Sequence, residues 1–226
     1  MSSKMKCKIV THEEVYSMVR ALAEKVKASS YRPATIVGLA RGGWVPARLM
    51  CDFLGVTDLL SLKVEHWLET GKTGDEAKIK YPLMANLRGK HLLVVDDITD
   101  TGKSLIASTD YLKKFAPKEL RTATMQYIPT SAFKPDYYVE EVRVWTWFIY
   151  PWNWIEDTTT LIVRLMSAKK EEVWTSKAIS TGLEDLFEIR WNQKMMNYML
   201  RTMVHRGQIG RVRGGYKLKE VKVVHM

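Results

Sequence analysis

The run Val94-Val95-Asp96-Asp97-Ile98-Thr99-Asp100-Thr101-Gly102-Lys103-Ser104 constrains this chain more than any other stretch. Two core-type valines lead into adjacent carboxylates. A third carboxylate and a Thr-Gly-Lys-Ser turn come next, and helical spacing begins at Leu105. A strand that ends in acids sets carboxylates at the carboxyl edge of a sheet, where α/β proteins bind ligands. The turn behind it presents backbone N–H groups and hydroxyls at the start of a helix, which suits an anion. One short segment thus offers partners for sugar hydroxyls and for a phosphate, the two parts of a ribose 5-phosphate.

The flanking sequence reads as a frame for that segment. Thr11-His12-Glu13-Glu14 has the form of a capping box. Val15, Met18, Val19, Leu22 and Val26 then recur at helical spacing, which predicts a helix over roughly 12–28. A short apolar strand over 34–39 runs into the turn Gly38-Leu39-Ala40-Arg41-Gly42-Gly43. A helix is expected over 44–54, with Val45, Leu49, Met50 and Phe53 facing inward. Leu60, Leu62 and Val64 alternate as in a half-buried strand, and the polar stretch 69–76, with Gly71 and Gly74, reads as a mobile loop. Strands over 91–95 and 122–128 bracket a helix over 105–115, and a further strand is expected over 142–150. This alternation predicts an α/β fold, a central parallel sheet with helices on both faces.

A length of 226 residues allows one domain or a domain with an appendage. The two cysteines, Cys7 and Cys51, form neither a disulfide framework nor a metal-spaced cluster. Cys51, among Leu49, Met50 and Phe53, is expected to be buried. No apolar run reaches the ~18 residues of a membrane span. The basic N-terminus leads into no apolar signal segment, so the expected compartment is the cytoplasm. A formal charge of +10 suits anionic ligands, phosphates and nucleic acid alike, and equally an ordinary solvated surface.

The residue chemistry supports a sugar-phosphate site. Carboxylates such as Asp96 and Asp97 accept hydrogen bonds from paired sugar hydroxyls, directly or through a hydrated Mg²⁺. The plainer alternative is a helix cap and a surface acid. Thr99, Thr101, Gly102 and Ser104 suit a phosphate cradle, and Lys103 either adds charge there or points to solvent. The turn lacks the Gly-x-x-x-x-Gly spacing of a P-loop.

Residues 94–104 resemble the phosphoribosyl-pyrophosphate signature of type I phosphoribosyltransferases, and the resemblance extends over about 10–157. It implies ribose and Mg²⁺ contacts at Asp96 and Asp97, with the metal held through ribose or water. It implies a 5-phosphate cradle at Thr99, Thr101, Gly102, Lys103 and Ser104. The turn 38–43 resembles the family's pyrophosphate loop, so Ala40, Arg41 and Gly42 would bind pyrophosphate, with a non-proline cis bond expected at Ala40–Arg41. A flexible loop over about 66–81 would close on the pyrophosphate through Lys72 and Thr73. Tyr150-Pro151-Trp152-Asn153-Trp154-Ile155-Glu156-Asp157 resembles the hood element of 6-oxopurine phosphoribosyltransferases. It implies base contacts from Tyr150, Trp152, Trp154 and Ile155, with Trp152 the first choice for stacking. Asp100 would be the catalytic acid beside N7 of the purine. One departure concerns base choice. Relatives place a lysine for the 6-oxo group near the end of the strand at 122–128, where this chain has Gln126-Tyr127-Ile128-Pro129. Gln126 or a backbone amide would have to substitute.

The implied activity is purine salvage: transfer of the 5-phosphoribosyl group from phosphoribosyl pyrophosphate to N9 of guanine, hypoxanthine or xanthine. A homodimer is usual in such relatives. Adenine or pyrimidine enzymes of the same fold are further possibilities. Composition sets a boundary between a core with hood (1–166) and an appendage (167–226). In the latter, 183–204 reads as helical, with a stripe of Met195, Met196, Met199 and Met203. The stretch 207–224 reads as a β-hairpin around Gly214-Gly215. The basic residues around it, Arg206, Arg211, Arg213, Lys217 and Lys219, weakly resemble the wing of a winged-helix DNA-binding domain. The favoured reading is a dimerisation or nucleotide-covering appendage. The rival is a purine- or phosphoribosyl-pyrophosphate-responsive DNA-binding regulator.

Overall fold

The structure, a computed structural model, describes residues 4–67 and 76–219. Along the first part of the chain run β1 (Cys7–Ile9), α1 (His12–Ala28), β2 (Thr35–Ala40), α2 (Trp44–Leu54), β3 (Leu59–Trp67), β4 (Glu76–Tyr81), β5 (His91–Thr99), α3 (Lys103–Lys113), β6 (Glu119–Tyr127) and β7 (Tyr137–Glu141). Then come β8 (Trp147–Ile149), a 3-10 turn (Pro151–Asn153), α4 (Trp154–Ser167), α5 (Ser176–Phe187), α6 (Gln193–His205), β9 (Ile209–Val212) and β10 (Gly215–Leu218). The chain divides into two compact units: His12–Val144, and Met1–Thr11 joined with Trp145–Met226.

The first unit holds a six-stranded sheet in the order β4-β3-β2-β5-β6-β7. Every pairing in it is parallel except that of β3 with the edge strand β4. Alternation along β2 and β5 builds two faces. Val37, Leu39, Leu92 and Val94 join Leu105 and Leu112 of α3 in one buried cluster. On β2's other face Gly38 abuts α2, where an added Cβ would stand 2.8 Å from that of Ala47. Each fully buried Leu, Ile or Val of this sort contributes about 1.5–3 kcal/mol. The α/β architecture with helices on both faces is therefore as expected.

Several details differ from the expectation. The strand forecast at 91–95 continues to Thr99, because its parallel register with β6 runs on past the acids, pairing Asp96 with Thr124 and Thr99 with Tyr127. The strand forecast over 142–150 shrinks to β8, while β7, not foreseen, takes the sheet edge beside β6. In α2 the buried face is Pro46, Ala47, Met50 and Cys51, and Val45 is exposed. The helix starts at Trp44, so positions 46, 47, 50 and 51 make the inward stripe and Val45 rotates off it. The expected loop residues Lys72 and Thr73 lie outside the described residues.

The second unit has its own core. Leu161, Ile162 and Leu165 of α4 pack with Leu183 and Phe187 of α5, Met196 and Met203 of α6, and Ile209 of β9, in one cluster that also takes Cys7 and Ile149. β1 pairs in parallel with β8, and β9 pairs antiparallel with β10. Because α4 shares this core with α5 and α6, the units part between Val144 and Trp145 rather than at 166. The helix forecast over 183–204 is two helices. Glu188 turns left-handed (φ 58°) after Phe187, and the Asn192 side chain accepts the Met195 N–H at 2.9 Å to start α6 afresh. The methionine stripe faces inward as expected, with Met196, Met199 and Met203 buried.

Candidate active site

The sheet order supplies a topological switch. From β2 the chain moves through α2 to β3 on one side, while β5 pairs with β2 on the other. The loops that leave β2 and β5 therefore diverge and open a crevice at the carboxyl ends of these two strands, the general ligand position in such sheets. The loop after β2 is Arg41-Gly42-Gly43, and the Ala40–Arg41 peptide is cis. The turn after β5 is Asp100-Thr101-Gly102.

The two loops and the acids are fitted to one another. Gly42 lies against Asp97, so that an added Cβ would meet its Cγ at 2.6 Å. Gly43 is equally confined, with Leu39 N 2.9 Å from the position of a Cβ. Its amide donates to the Leu39 carbonyl at 2.8 Å, and its carbonyl accepts the Ala47 N–H that starts α2. Only residues without a side chain fit this path. On β5, Asp96 Oδ1 accepts the Asp97 N–H at 3.0 Å, and Asp97 Oδ1 accepts the Ile98 N–H at 2.8 Å. Both carboxylates are half-buried. Burial, then the neighbouring Asp97 charge, pushes the Asp96 carboxyl well above the usual carboxylate range, although backbone N–H donors from Asp97 and Gly43 pull it the other way.

The turn after β5 is pinned from below. The Ile128 N–H donates to the Thr99 carbonyl at 2.9 Å, and the Ala132 N–H to the Thr101 carbonyl at 3.1 Å. Gly102 caps α3 with a left-handed backbone (φ 81°), and a Cβ there would strike Ser131 and Phe133. Thr101 and Asp100 are exposed, and Lys103 and Ser104 are half-buried in the first turn of α3. The Thr101 hydroxyl accepts the Lys103 N–H at 3.4 Å. Thr99 departs from its expected part. Its side chain is buried in the sheet, and its hydroxyl donates to Thr124 Oγ1 at 3.2 Å. A cradle here consists of backbone with Thr101 and Ser104, not the Thr99 hydroxyl.

The structure thus brings together Ala40, Arg41, Gly42, Asp96, Asp97 and the 100–104 turn, all within the first unit. Sequence reasoning included Gly43 in the 38–43 turn without giving it a role of its own, and it missed the 128–133 loop that fixes the turn. The turn residues Pro129-Thr130-Ser131 were its available signal. Gln126 cannot serve as a base reader through its side chain. It is buried, and its Nε2 donates to Glu140 Oε2 at 2.7 Å. Lys134, the next lysine after this strand in sequence, lies over the Tyr138 ring.

The four expected base contacts belong to the second unit. Tyr150 is buried and stacks on Trp152, with ring centroids 4.9 Å apart and planes 7° from parallel. Trp154 is committed elsewhere: its indole N–H donates to the Val10 carbonyl at 3.0 Å, and its ring meets Trp191 edge-on. Trp152 and Ile155 remain half-buried. Of the three aromatics, Trp152 keeps surface for stacking, Tyr150 backs it, and Trp154 is structural.

Comparison with known proteins agrees with this geometry. Residues 8–157 match the model of the phosphoribosyl transferase domain family. The xanthine-guanine phosphoribosyltransferase of Gluconobacter oxydans is 29% identical over 154 residues, covering 68% of this chain and 86% of that protein. The crystal structure of a purine phosphoribosyltransferase from Pyrococcus horikoshii is similar at a TM-score of 0.59 with 34% identity, over 66% of this chain and 95% of that one. The xanthine-guanine-hypoxanthine phosphoribosyltransferase of Helicobacter pylori shares the fold at a TM-score of 0.57 and 20% identity, over 68% of this chain and 96% of that one. The chain belongs to the phosphoribosyl transferase domain family.

Proposed function

We propose that this phosphoribosyltransferase is a purine salvage enzyme. It moves the 5-phosphoribosyl group from phosphoribosyl pyrophosphate to N9 of a 6-oxopurine, releasing pyrophosphate and the nucleoside monophosphate. The observation that carries the reading is the meeting of Gly42 and Gly43 with Asp96 and Asp97 at the β2–β5 switch, with the phosphate-suited 100–104 turn directly after the same strand.

The roles rest on chemistry. Asp96 and Asp97 accept the ribose hydroxyls. Backbone N–H groups of the 100–104 turn, with the Thr101 and Ser104 hydroxyls and Lys103, hold the 5-phosphate. The 40–43 loop receives the pyrophosphate, with Arg41 as its cation. Fixing both ends of the sugar leaves the anomeric carbon as the part free to move, so the carbon–oxygen bond breaks along a set path. Negative groups beside the ribose favour the positive charge that develops on it. Asp100, exposed at the tip of the turn, is the group for proton exchange with N7.

Mg²⁺ fits the hard oxygen donors of Asp96 and Asp97. Among the described residues no three acidic, histidine or cysteine side chains converge. An ion here would accordingly be held by one or two carboxylates with water and substrate oxygens, the usual mode for Mg²⁺. When bound, it neutralises charge on the leaving pyrophosphate.

For the base, Trp152 is the stacking side chain. The resemblance carries 6-oxopurine over adenine, and it carries the homodimer and the cytoplasmic setting. The test is turnover with phosphoribosyl pyrophosphate and Mg²⁺, offering guanine, hypoxanthine, xanthine, adenine, uracil and orotate separately. Rapid nucleotide formation with a 6-oxopurine is the expected result. Turnover confined to adenine would overturn the base assignment and leave the transfer chemistry standing. Binding of phosphoribosyl pyrophosphate without turnover of any base would overturn the enzyme reading.

A further inference from the structure

The family match ends at residue 157, within α4. Beyond that point the chain has a topology of its own. After α4 it passes Trp174, which bridges antiparallel to Tyr216 through two backbone hydrogen bonds, Trp174 N–H to Tyr216 O at 2.8 Å and Tyr216 N–H to Trp174 O at 2.9 Å. Then come α5, α6 and the β9–β10 hairpin. The order is helix, bridge residue, helix, helix, strand, turn, strand. The bridge at Trp174 adds to the outer side of the last strand, β10, and the whole closes on one apolar core. This is the arrangement of a winged helix, in which the third helix is the reading helix and the hairpin is the wing.

The paired glycines belong to this plan. Gly214 takes a left-handed backbone (φ 91°) at the tip of the hairpin, next to exposed Arg213. At Gly215 a Cβ would collide with the Trp174 backbone, its carbonyl carbon standing at 2.8 Å. One glycine makes the turn, and the other lets the Trp174 bridge approach.

Charge identifies what the surface receives. From Ile189 to Lys219 there are eight lysines and arginines and no aspartate or glutamate, so this stretch carries +8 of the chain's +10. Two of the eight meet acids: Arg190 pairs with Glu184, and Lys217 stands 3.8 Å from Glu171. The rest are Lys194 and Arg201 on α6, Arg206 at its end, and Arg211, Arg213 and Lys219 on and beside the hairpin. On α6 the side opposite the buried methionines is a stripe of exposed Lys194, Asn197, Tyr198, Arg201 and His205. These side chains bond to phosphates and to base edges.

We infer that the winged helix of α4–α6 and the β9–β10 hairpin binds duplex DNA, with the exposed face of α6 in the major groove and Arg211 and Arg213 of the wing on the flanking backbone. The docking rests on helix width and charge. It is independent of the transfer chemistry, which uses other residues.

The test is fluorescence anisotropy of a labelled DNA duplex titrated with the full chain, at several salt concentrations. The expected result is saturable binding that weakens on the order of 10²–10³-fold between about 50 and 200 mM salt, as for about five phosphates neutralised. Arg201→Ala/Arg211→Ala/Arg213→Ala should weaken binding at least about tenfold and lower the salt slope by about 2, one for each of the two wing arginines on phosphate. Its thermal melt should match that of the unaltered chain. If the triple variant melts early, Arg213→Ala alone, in the exposed turn, should still lower the slope by about 1. Flat anisotropy overturns the proposal, and so does unchanged binding by a folded variant. Equal affinity for an RNA duplex of the same sequence also overturns it, because the narrow A-form major groove does not admit a helix.

Discussion

The loop at 40–43 and the hairpin at 209–218 both rely on adjacent glycines and both present positive charge. Gly215 is confined by the Trp174 backbone much as Gly42 and Gly43 are confined, but the hairpin tip at Gly214 is built differently. At Gly42 and Gly43 the surroundings close in until no Cβ fits, and the contacts are with carboxylate and backbone atoms. At Gly214 nothing lies within 4 Å of where a Cβ would stand, and the glycine serves only its own backbone angle. In the first case the protein has shaped main chain around the Asp97 carboxylate and its own backbone. In the second it has spread side-chain charge over an open surface. A site of the first kind shows itself as a motif of fixed spacing. One of the second kind becomes visible only when topology and charge are laid together.

The strongest challenge to this contrast is charge reversal in the packed site. Asp97→Arg should abolish phosphoribosyl-pyrophosphate binding in calorimetry, and unchanged affinity would remove the ribose assignment. Asp100→Asn comes next. It should lower the transfer rate by about 10²–10⁴-fold while the phosphoribosyl-pyrophosphate dissociation constant moves little. A comparable loss of binding would make Asp100 a binding residue. The glycines then test the contrast directly. Gly42→Ala should cost on the order of 10² in kcat/KM by displacing Asp97 and the loop. Gly214→Ala should cost only about 1 kcal/mol of stability and no activity. Similar losses from the two would dissolve the distinction.

The smallest effect concerns Asp96. Its folded-state pKa lies above the ordinary carboxylate value, from burial and from Asp97. Such a group adds stability below its unfolded pKa of about 3.9, and that contribution is lost as pH rises through the folded value. Asp96→Asn should therefore raise the melting temperature by a few degrees at pH 8 and leave it unchanged near pH 3. A lower melting temperature at pH 8 would show that Asp96 is held as a stabilised carboxylate.

Much of the first unit was legible because its signals are local. Val15, Val19, Leu22 and Val26 recur at helical spacing and are all buried in α1, and the extent of α2 is set by the glycines on either side of it. What escaped depends on partners distant in sequence. β7 is five residues, Tyr-Tyr-Val-Glu-Glu, without clear alternation, and it is a strand because β6 offers an edge. Thr99 looks like a cradle hydroxyl by position, but Thr124 of the neighbouring strand claims it. Trp154 reads as a base platform until Val10 is found to accept its N–H. The break between α5 and α6 was closer to legible, since Asn192 is a good cap residue three positions before the amide it receives.

The second unit is assembled from two separate stretches of the chain, with the first unit inserted between them. Met5 donates its amide to Leu186, β1 pairs with β8, and Val10 accepts from Trp154, 144 residues downstream. β1 is thus made well before the strand it pairs with. During synthesis the sheet unit can close on itself while residues 4–10 wait for partners not yet translated. Closing that long interval costs entropy once, and an already folded insert shortens the loop that must be closed. The connectivity lets the unit bearing the acids close as soon as residue 144 has emerged, whereas the basic unit needs its later helices before its core can form.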